Sequence, residues 1–274
     1  MELRHRALEA LLCPDPSHKR ALVQALFDNA ACIPLAPQTA IPQPTPPATG
    51  WPGRPTLPQL VDPALVPQRS PFTVEGRAAL VHAICHIEFN AINLALDAVW
   101  RFPHMPEAFY QDWLRVAAEE AFHFGLLQDH LATMPHNGHP WSYGDFVAHD
   151  GLWSMCDKTA GDVVARMALV PRTLEARGLD ATPLIQAKLR KVNTPDALQA
   201  VTLLDTILRD EVGHVAIGNH WYRWSCEQRG LDPVAHYATL ALRHQAPRLK
   251  PPFNTEARRK AGFTTTEIDY LLGA

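Results

Sequence analysis

The chain contains only five cysteines, Cys13, Cys32, Cys85, Cys156 and Cys226, and no Cys-x-x-Cys pair. An odd number of widely scattered cysteines argues against a disulfide framework and against a zinc knuckle built from paired thiolates. We therefore expect all five cysteines to be reduced and structural.

Long apolar runs are also missing. No run approaches the roughly 20 residues that span a bilayer, and the first residues include no apolar signal core. We therefore expect no membrane partner and a cytoplasmic location. The net charge of −3 offers no general attraction to nucleic acid. With 47% hydrophobic and 19% charged residues, the composition is that of an ordinary globular protein with a well-filled core.

No segment shows the alternation of apolar and polar residues that marks a strand, so we predict an all-α fold. Helix starts are indicated by capping residues followed by proline and by one capping box. The predicted helices span residues 1–12, 16–30, 73–101, 106–133 and 159–177, and later helices start at Thr182-Pro183, Thr194-Pro195, Asp232-Pro233 and Thr264.

Residues 33–71 are rich in proline, with Pro42, Pro44, Pro46 and Pro47 close together. Such a segment cannot form a regular helix or a central strand. We expect it to wrap over the helices or to connect the N-terminal helices flexibly. The predicted regions are 1–71 for the N-terminal helices and this segment, 72–230 for the bundle, and 231–274 for C-terminal helices that pack on the bundle.

Two stretches combine an acid and a histidine in the same way, Glu120 with His123 and Glu211 with His214. Positions i and i+3 share one face of a helix, so each pair projects a carboxylate and an imidazole in one direction. Both pairs interrupt an apolar stripe of helical period, so both are predicted to face the core.

A buried Glu and a buried His need partners, because an isolated charge in apolar surroundings is strongly unfavourable. One isolated pair would be explained by a simple Glu–His contact in the core. Two pairs in the same setting favour metal ligands. A third match, Glu2 with His5, lies in a charged run and is interpreted as accidental.

Two further acids complete the pattern. Glu88 precedes Glu120 by 32 residues and Glu175 precedes Glu211 by 36, spacings that return an antiparallel helix pair to the same height. Glu175 has an alternative interpretation as a solvated acid at a helix end, because Pro171 precedes it and Gly178 follows it. Asp162 is the substitute ligand in that case.

Charge arithmetic favours a pair of metal ions. Four carboxylates would repel one another in an empty core, whereas two divalent cations would neutralise them. Carboxylate and imidazole ligands without thiolate suit iron best, with manganese possible and zinc less favoured. Glu119 and Asp210, which precede the ligand acids, are predicted to orient ligand histidines. His82 and His86 are interpreted as a polar face between helices.

With its helices and ligands placed, the sequence resembles the ferritin-like di-iron carboxylate superfamily, and more closely a bacterial ferritin-like family that is largely uncharacterised. The stretches that carry the resemblance are HAICHIEFNAINLALDAVWRF, RVAAEEAFHFGLL, ARMALVPRTLEARGLD, LRDEVGHVAIGNHWY and PPFNTEARRKAGF. The resemblance implies a four-helix bundle with extra N- and C-terminal helices and a dinuclear metal site. It maps the metal ligands to Glu88, Glu120, His123, Glu175, Glu211 and His214.

Three functions are compatible with this pattern. The leading hypothesis is an oxidase or hydroxylase that activates O2, with an unknown small-molecule substrate and a possible electron donor. The second is a non-catalytic protein that binds or stores iron. The third is a histidine–aspartate phosphohydrolase centred on His149 and Asp150, with His130 and Asp205 as further candidates. Neither the substrate nor the oligomeric state can be predicted from the sequence.

Overall fold

The computed structural model describes residues 1–45, 50–134 and 138–273, so Pro46 and Pro47 lie outside it. Within these ranges the regular structure is helical, apart from an isolated bridge between Leu60 and Ala148. The predicted all-α fold is confirmed. The chain divides into two compact units, Met1–Trp153 and Ser154–Ala274. The division into three regions at residues 71 and 230 remains a prediction.

The first unit is organised around one long helical hairpin. Helices α3 and α4 are joined by residues 102–106 and pack against each other, while α1 packs on α3 and α2 packs on α4. The four helices are α1 (Leu3–Leu12), α2 (Pro16–Asp28), α3 (Val74–Arg101) and α4 (Glu107–Thr133). Their bounds agree with the predicted helices to within two residues. A short helix, α5 (Gly151–Lys158), spans the boundary between the units.

Local signals explain where the hairpin begins and ends. The Thr73 hydroxyl accepts a hydrogen bond from the Gly76 backbone N–H and caps α3. At the other end of α3, Phe102 is extended and is followed by Pro103, which cannot continue a helix. Pro106 stands immediately before the first residue of α4. The two helices therefore present Glu88 and Glu120 on a common hairpin.

The proline-rich segment wraps over the helices of the first unit, where it is described. Its carbonyls accept from α1 and from the loop after α3: Pro34 from the Leu3 N–H, and Pro37 from the His104 N–H. Farther along, the Gly53 N–H donates to the Leu11 carbonyl. These backbone bonds compensate for the lack of regular structure in the segment.

The second unit is built around another helical hairpin. Helices α7 and α8 pack against each other, and α6, α9 and α10 also pack on α8. The helices are α6 (Val163–Leu169), α7 (Ala176–Val192), α8 (Pro195–Gln228), α9 (Pro233–Arg243), α10 (Thr255–Lys260) and α11 (Thr265–Gly273). A π-helical segment, Val170–Glu175, joins α6 to α7 without a break.

The predicted helix end at Gly178 and the predicted start at Thr182-Pro183 are wrong, because α7 runs through both. Proline inside a helix leaves the carbonyl four residues earlier without its usual donor. In this case that carbonyl belongs to Leu179, and the Asn254 side-chain amide donates to it at 3.2 Å. Asn254, which follows Leu179 by 75 residues, therefore allows Pro183 to lie inside the helix.

Among the residues that the structure describes, only helix α3 has the length and apolar composition of a membrane span. Most of its apolar window is buried within the protein, and its buried residues include Glu88, Asn93 and Asp97. A core helix that is mostly buried passes the same test of length and composition. All five cysteines are free, as expected, and Cys32 is the exposed one.

Candidate metal centre

The hairpin of the first unit brings together three of the predicted ligands. Glu88 lies on α3, and Glu120 and His123 lie one turn apart on α4. All three interrupt apolar stripes whose other members are buried, including Ile92, Val116 and Phe124. The helical period therefore leaves the polar side chains no route to solvent.

The three side chains form one compact cluster. His123 Nδ1 lies 3.4 Å from Glu88 Oε2 and 3.4 Å from Glu120 Oε2. Glu120 and His123 are fully buried, and Glu88 is 4% exposed. Each residue offers a ligand atom within 4.8 Å of those of the other two. The 3.4 Å separations are long for N–H···O hydrogen bonds, whose usual range is about 2.7–3.2 Å.

The electrostatics of this cluster are unfavourable for two ionised acids. Burial, reinforced by the charge of Glu120, raises the pKa of Glu88 from 4.5 to about 8. Burial alone would lower the pKa of His123, but attraction to Glu120 and Glu88 outweighs it and raises that pKa to about 11. At neutral pH the cluster therefore retains protons that a cation could replace.

The donor set is appropriate for a divalent metal. Two carboxylates and an imidazole combine hard oxygen ligands with a nitrogen ligand, a combination that iron, manganese and zinc accept. No cysteine contributes to the cluster. The residues present therefore fit a metal ion, although they do not identify which one.

The second unit contains a matching group of residues. Glu211 and His214 lie one turn apart on α8, with His214 Nδ1 3.4 Å from Glu211 Oε1. Their exposed fractions are 8% and 2%. Glu175, the last residue of the π-helical segment, is also buried, with 8% exposed. The interpretation of Glu175 as a solvated acid at a helix end is therefore wrong.

Two of the neighbouring acids, Asp210 and Asp162, have identifiable ion pairs, and the orienting role of Glu119 and Asp210 remains a prediction. Asp210 pairs with the adjacent Arg209, whose Nε lies 2.9 Å from Asp210 Oδ1. Glu119 is partly buried on α4. Asp162, the substitute ligand, caps α6 by accepting from the Val164 N–H and also pairs with Arg229. Its carboxylate is thus already used in a structural role.

His82 and His86 belong to a separate polar network that involves Tyr143, Gly144 and His149. His86 Nδ1 lies 2.8 Å from the Tyr143 hydroxyl, and His86 Nε2 lies 3.2 Å from the His149 carbonyl. His82 stacks on the Tyr143 ring and accepts from the Gly144 N–H. Burial lowers the pKa of His86 to about 3 and that of His82 to about 4. Both rings are therefore neutral at physiological pH.

The residues of the phosphohydrolase hypothesis have separate partners. The Asp150 carboxylate pairs with Arg54 at 3.0 Å, and His149 Nδ1 accepts from the Gly151 N–H. Asp205 accepts from the Gln186 side chain and has an exposed carboxylate. In the structure His149 and Asp150 bond residues of loops and of a helix start, and Asp205 links α8 to α7.

Two buried charged groups could not be recognised from the sequence. One is the fully buried Lys19, and the other is the ion pair of Arg172 and Glu267, each of which is 4% exposed. The capping box Thr264-x-x-Glu267 was recognisable, and it is present: the Thr264 N–H donates to Glu267 Oε2 at 2.7 Å. Nothing in the local sequence connects Glu267 with Arg172, because 95 residues separate them.

Comparison with known proteins places this geometry in a family context. The family described as "Protein of unknown function (DUF455)" matches residues 12–269. An uncharacterized protein of Haemophilus influenzae is 47% identical over 275 residues, which cover 96% of this chain and 91% of the relative. No solved structure matches the chain.

Proposed function

Because this chain belongs to the DUF455 family, whose description names no activity, we propose its function from the chemistry of its buried acids and histidines. We propose a dinuclear metal protein, with iron preferred and manganese possible, that acts as an O2-activating oxidase or hydroxylase. The observation that carries the proposal is the buried cluster of Glu88, Glu120 and His123, with its two 3.4 Å separations.

The proposed centre has two halves. In each half one acid precedes, along the chain, a long helix that carries Glu-x-x-His, and this is the ligand plan of carboxylate-bridged metal pairs in ferritin-like bundles. The first half comprises Glu88, Glu120 and His123, and the second comprises Glu175, Glu211 and His214. Two divalent cations balance the four carboxylates, so the proposed core is neutral when loaded.

The alternative of a simple core contact explains the cluster less well. A Glu–His pair that served only stability would form short hydrogen bonds and would need one acid. In this cluster two acids converge on one imidazole at 3.4 Å, and one acid has its pKa raised to about 8. A site built for a cation accounts for both the surplus carboxylate and the spacing.

When bound, a pair of ferrous ions would supply the reduction of O2. The chain's own residues would fix the conditions for that chemistry. Glu88 and His123 hold protons at neutral pH and release them when a cation takes their place. The apolar side chains of Ile92, Val116 and Phe124 are fully buried and exclude bulk water from the hairpin.

Metal content is the direct test. We expect the protein reconstituted anaerobically with Fe²⁺ to hold about two ions per chain. Glu120→Gln and Glu211→Gln should each reduce that content, whereas Glu107→Gln and Glu227→Gln should not, since these control residues are exposed on the same two helices. A wild-type protein that binds no metal, or a Glu120→Gln variant that retains both ions, would overturn the proposal.

Oxygen consumption distinguishes the catalytic function from metal storage. The reduced, loaded protein should consume O2 and return to the reduced state when a chemical electron donor is supplied. Formation of a large hollow assembly that accumulates many iron ions per chain would instead indicate storage. Both measurements use the same protein preparation as the metal assay.

A further inference from the structure

The π-helical segment Val170–Glu175 is held by side chains from distant parts of the second unit. A π turn is wider than an α turn, is rare, and is often found at functional sites. The segment ends at Glu175, the one proposed ligand that does not lie on a regular α-helix. The position of Glu175 therefore depends on whatever stabilises this wide turn.

Pro171 fits into the wide turn because α8 provides space for it. A Cβ added to Gly218 would lie 2.5 Å from Pro171 Cβ and 2.6 Å from Pro171 Cγ. Only glycine at position 218 allows the proline ring to approach α8 this closely. This contact sets the distance between the segment and α8, the helix that carries Glu211 and His214.

Arg172 is the main anchor of the segment. Its guanidinium lies 2.8 Å from Glu267 Oε1 and donates to Asn219 Oδ1 at 2.6 Å. The rings of Tyr222, Tyr237 and Phe263 surround it, with the Arg172 Cζ 4.7–5.4 Å from their centroids. Arg172 and Glu267 are each 4% exposed. A charge this deeply buried requires its partner, because a lone buried ion is strongly unfavourable.

The other polar side chain of the segment is anchored in the same direction. The Thr173 hydroxyl donates to the Ala168 carbonyl at 2.8 Å or pairs with the Tyr237 hydroxyl at 2.9 Å. Tyr237 belongs to α9 and Glu267 to α11. Two helices of the C-terminal region, α9 and α11, thus contact the segment.

We propose that Glu267 is a positioning residue that fixes the π-helical segment through Arg172 and thereby places Glu175 at the metal centre. This inference rests on the proposed function, since it assumes that Glu175 is a ligand. Glu267 is itself held in place, because it also closes the capping box of α11 with Thr264. The carboxylate is therefore held from both sides, by the helix it caps and by Arg172.

Glu267→Gln tests this role, because it keeps the side chain's size and removes its charge. We expect weaker binding of the second metal ion, by about 10- to 100-fold, as is usual when the partners of ligands are removed. Asp180→Asn is the matched control. It removes another ion pair of the second unit, Asp180 on α7 with Arg258 on α10 at 2.6 Å; the hydrogen bonds of Arg258 in the described structure go to Asp180 and to the Ala176 carbonyl, and none goes to residues 171–173.

Two measurements separate positioning from general destabilisation. Metal affinity is compared with the free energy of unfolding of the metal-free protein, measured in denaturant for both variants. If Glu267 positions the ligand, Glu267→Gln should lose metal affinity, whereas Asp180→Asn should retain it even when the two metal-free variants have the same free energy of unfolding. Equal metal affinity in wild type and Glu267→Gln would overturn the inference, as would equal losses in the two variants.

Tyr237→Phe provides a milder variant if Glu267→Gln does not fold. It removes only the hydroxyl that meets Thr173, so we expect a smaller loss of affinity for the second ion, about 3- to 10-fold by the same logic. Unchanged affinity in this variant would count against the inference. Glu175→Gln separates the two proposals: if it leaves metal binding intact while Glu120→Gln abolishes it, the metal centre stands and the role of Glu267 falls.

Discussion

Lys19 and Glu88 are both buried ionisable residues of the first unit, and their neighbours differ in kind. Lys19 Nζ donates to the carbonyls of Leu11 and Gly53, each at 2.9 Å, and to Asn93 Oδ1 at 2.5 Å. An ammonium group has three protons, so three acceptors satisfy it completely. Burial lowers the pKa of Lys19 to about 7, yet every donor has a partner within the protein.

Glu88 has a second acid, Glu120, as its close companion, and both approach His123 at 3.4 Å. Burial and the charge of Glu120 raise the pKa of Glu88 to about 8. The Lys19 network is completed by two backbone carbonyls and the Asn93 side chain. The Glu88 cluster joins two carboxyl groups to one imidazole, and in the proposed function a cation replaces the protons that these groups hold.

The largest expected effect comes from metal addition. A ligand that binds the folded protein alone stabilises it by about 4 kcal/mol per site at a thousandfold excess over its Kd. We expect the free energy of unfolding in denaturant to rise by that order with Fe²⁺ or Mn²⁺, and to fall again with a chelator.

The control for metal addition is Glu120→Gln, whose stability should respond weakly to metal. Glu107→Gln, an exposed substitution on the same helix, should respond like wild type. If metal did not change the free energy of unfolding of the wild-type protein, the Glu88 cluster would not need a cation, and its proposed difference from the Lys19 network would be wrong.

A smaller effect is expected at Lys19. Lys19→Met removes three donors and leaves the buried Gly53 carbonyl and the Asn93 amide oxygen without this partner, whereas the Leu11 carbonyl keeps its hydrogen bond from the Gly53 N–H. Each unsatisfied group is unfavourable by about 1–3 kcal/mol, so for two groups we expect the free energy of unfolding to fall by roughly 2–6 kcal/mol. Lys188→Met, at an exposed position, should change it by less than about 0.5 kcal/mol.

Metal content gives the Lys19 experiment its second readout. A folded Lys19→Met variant should still bind as much metal as wild type, because the described hydrogen bonds of Lys19 go to Leu11, Gly53 and Asn93 and not to the three ligands. Loss of metal in a variant that remains folded would show that the two clusters are not independent.

The sequence was sufficient to predict the parts of the fold that depend on local signals. The starts of α8 and α9 follow Thr194-Pro195 and Asp232-Pro233 as predicted, since each has a cap residue and a proline that fits the first turn. The Glu-x-x-His pairs could likewise be placed on buried helix faces, because the apolar stripe around each pair has a helical period.

The parts that could not be predicted depend on contacts between distant residues. Pro183 lies inside α7 because Asn254 donates to the carbonyl that the proline leaves free. The π-helical segment before Glu175 depends on Gly218, Asn219 and Glu267, none of which is near it in sequence. No local propensity encodes such partners, so the helix break predicted near Glu175 was the natural error.

The smallest expected effect is the pH dependence of the metal-free protein. A carboxyl that holds its proton more tightly in the folded than in the unfolded chain makes stability fall as pH rises between the two pKa values. For Glu88 that range extends from 4.5 to about 8. Glu88→Gln removes this carboxyl, so the metal-free variant should lose less stability than wild type as pH rises through that range.

At pH 8.5 we expect metal-free Glu88→Gln to be more stable than metal-free wild type by about 2 kcal/mol, whereas the difference at pH 4.5 should be close to zero. Denaturant unfolding at both pH values in the presence of a chelator provides the measurement. A Glu88→Gln variant less stable than wild type at pH 8.5 would contradict the comparison. Removal of the carboxylate would then break a favourable contact instead of relieving a repulsive one, and the Glu88 cluster, like that of Lys19, would need no partner from outside the protein.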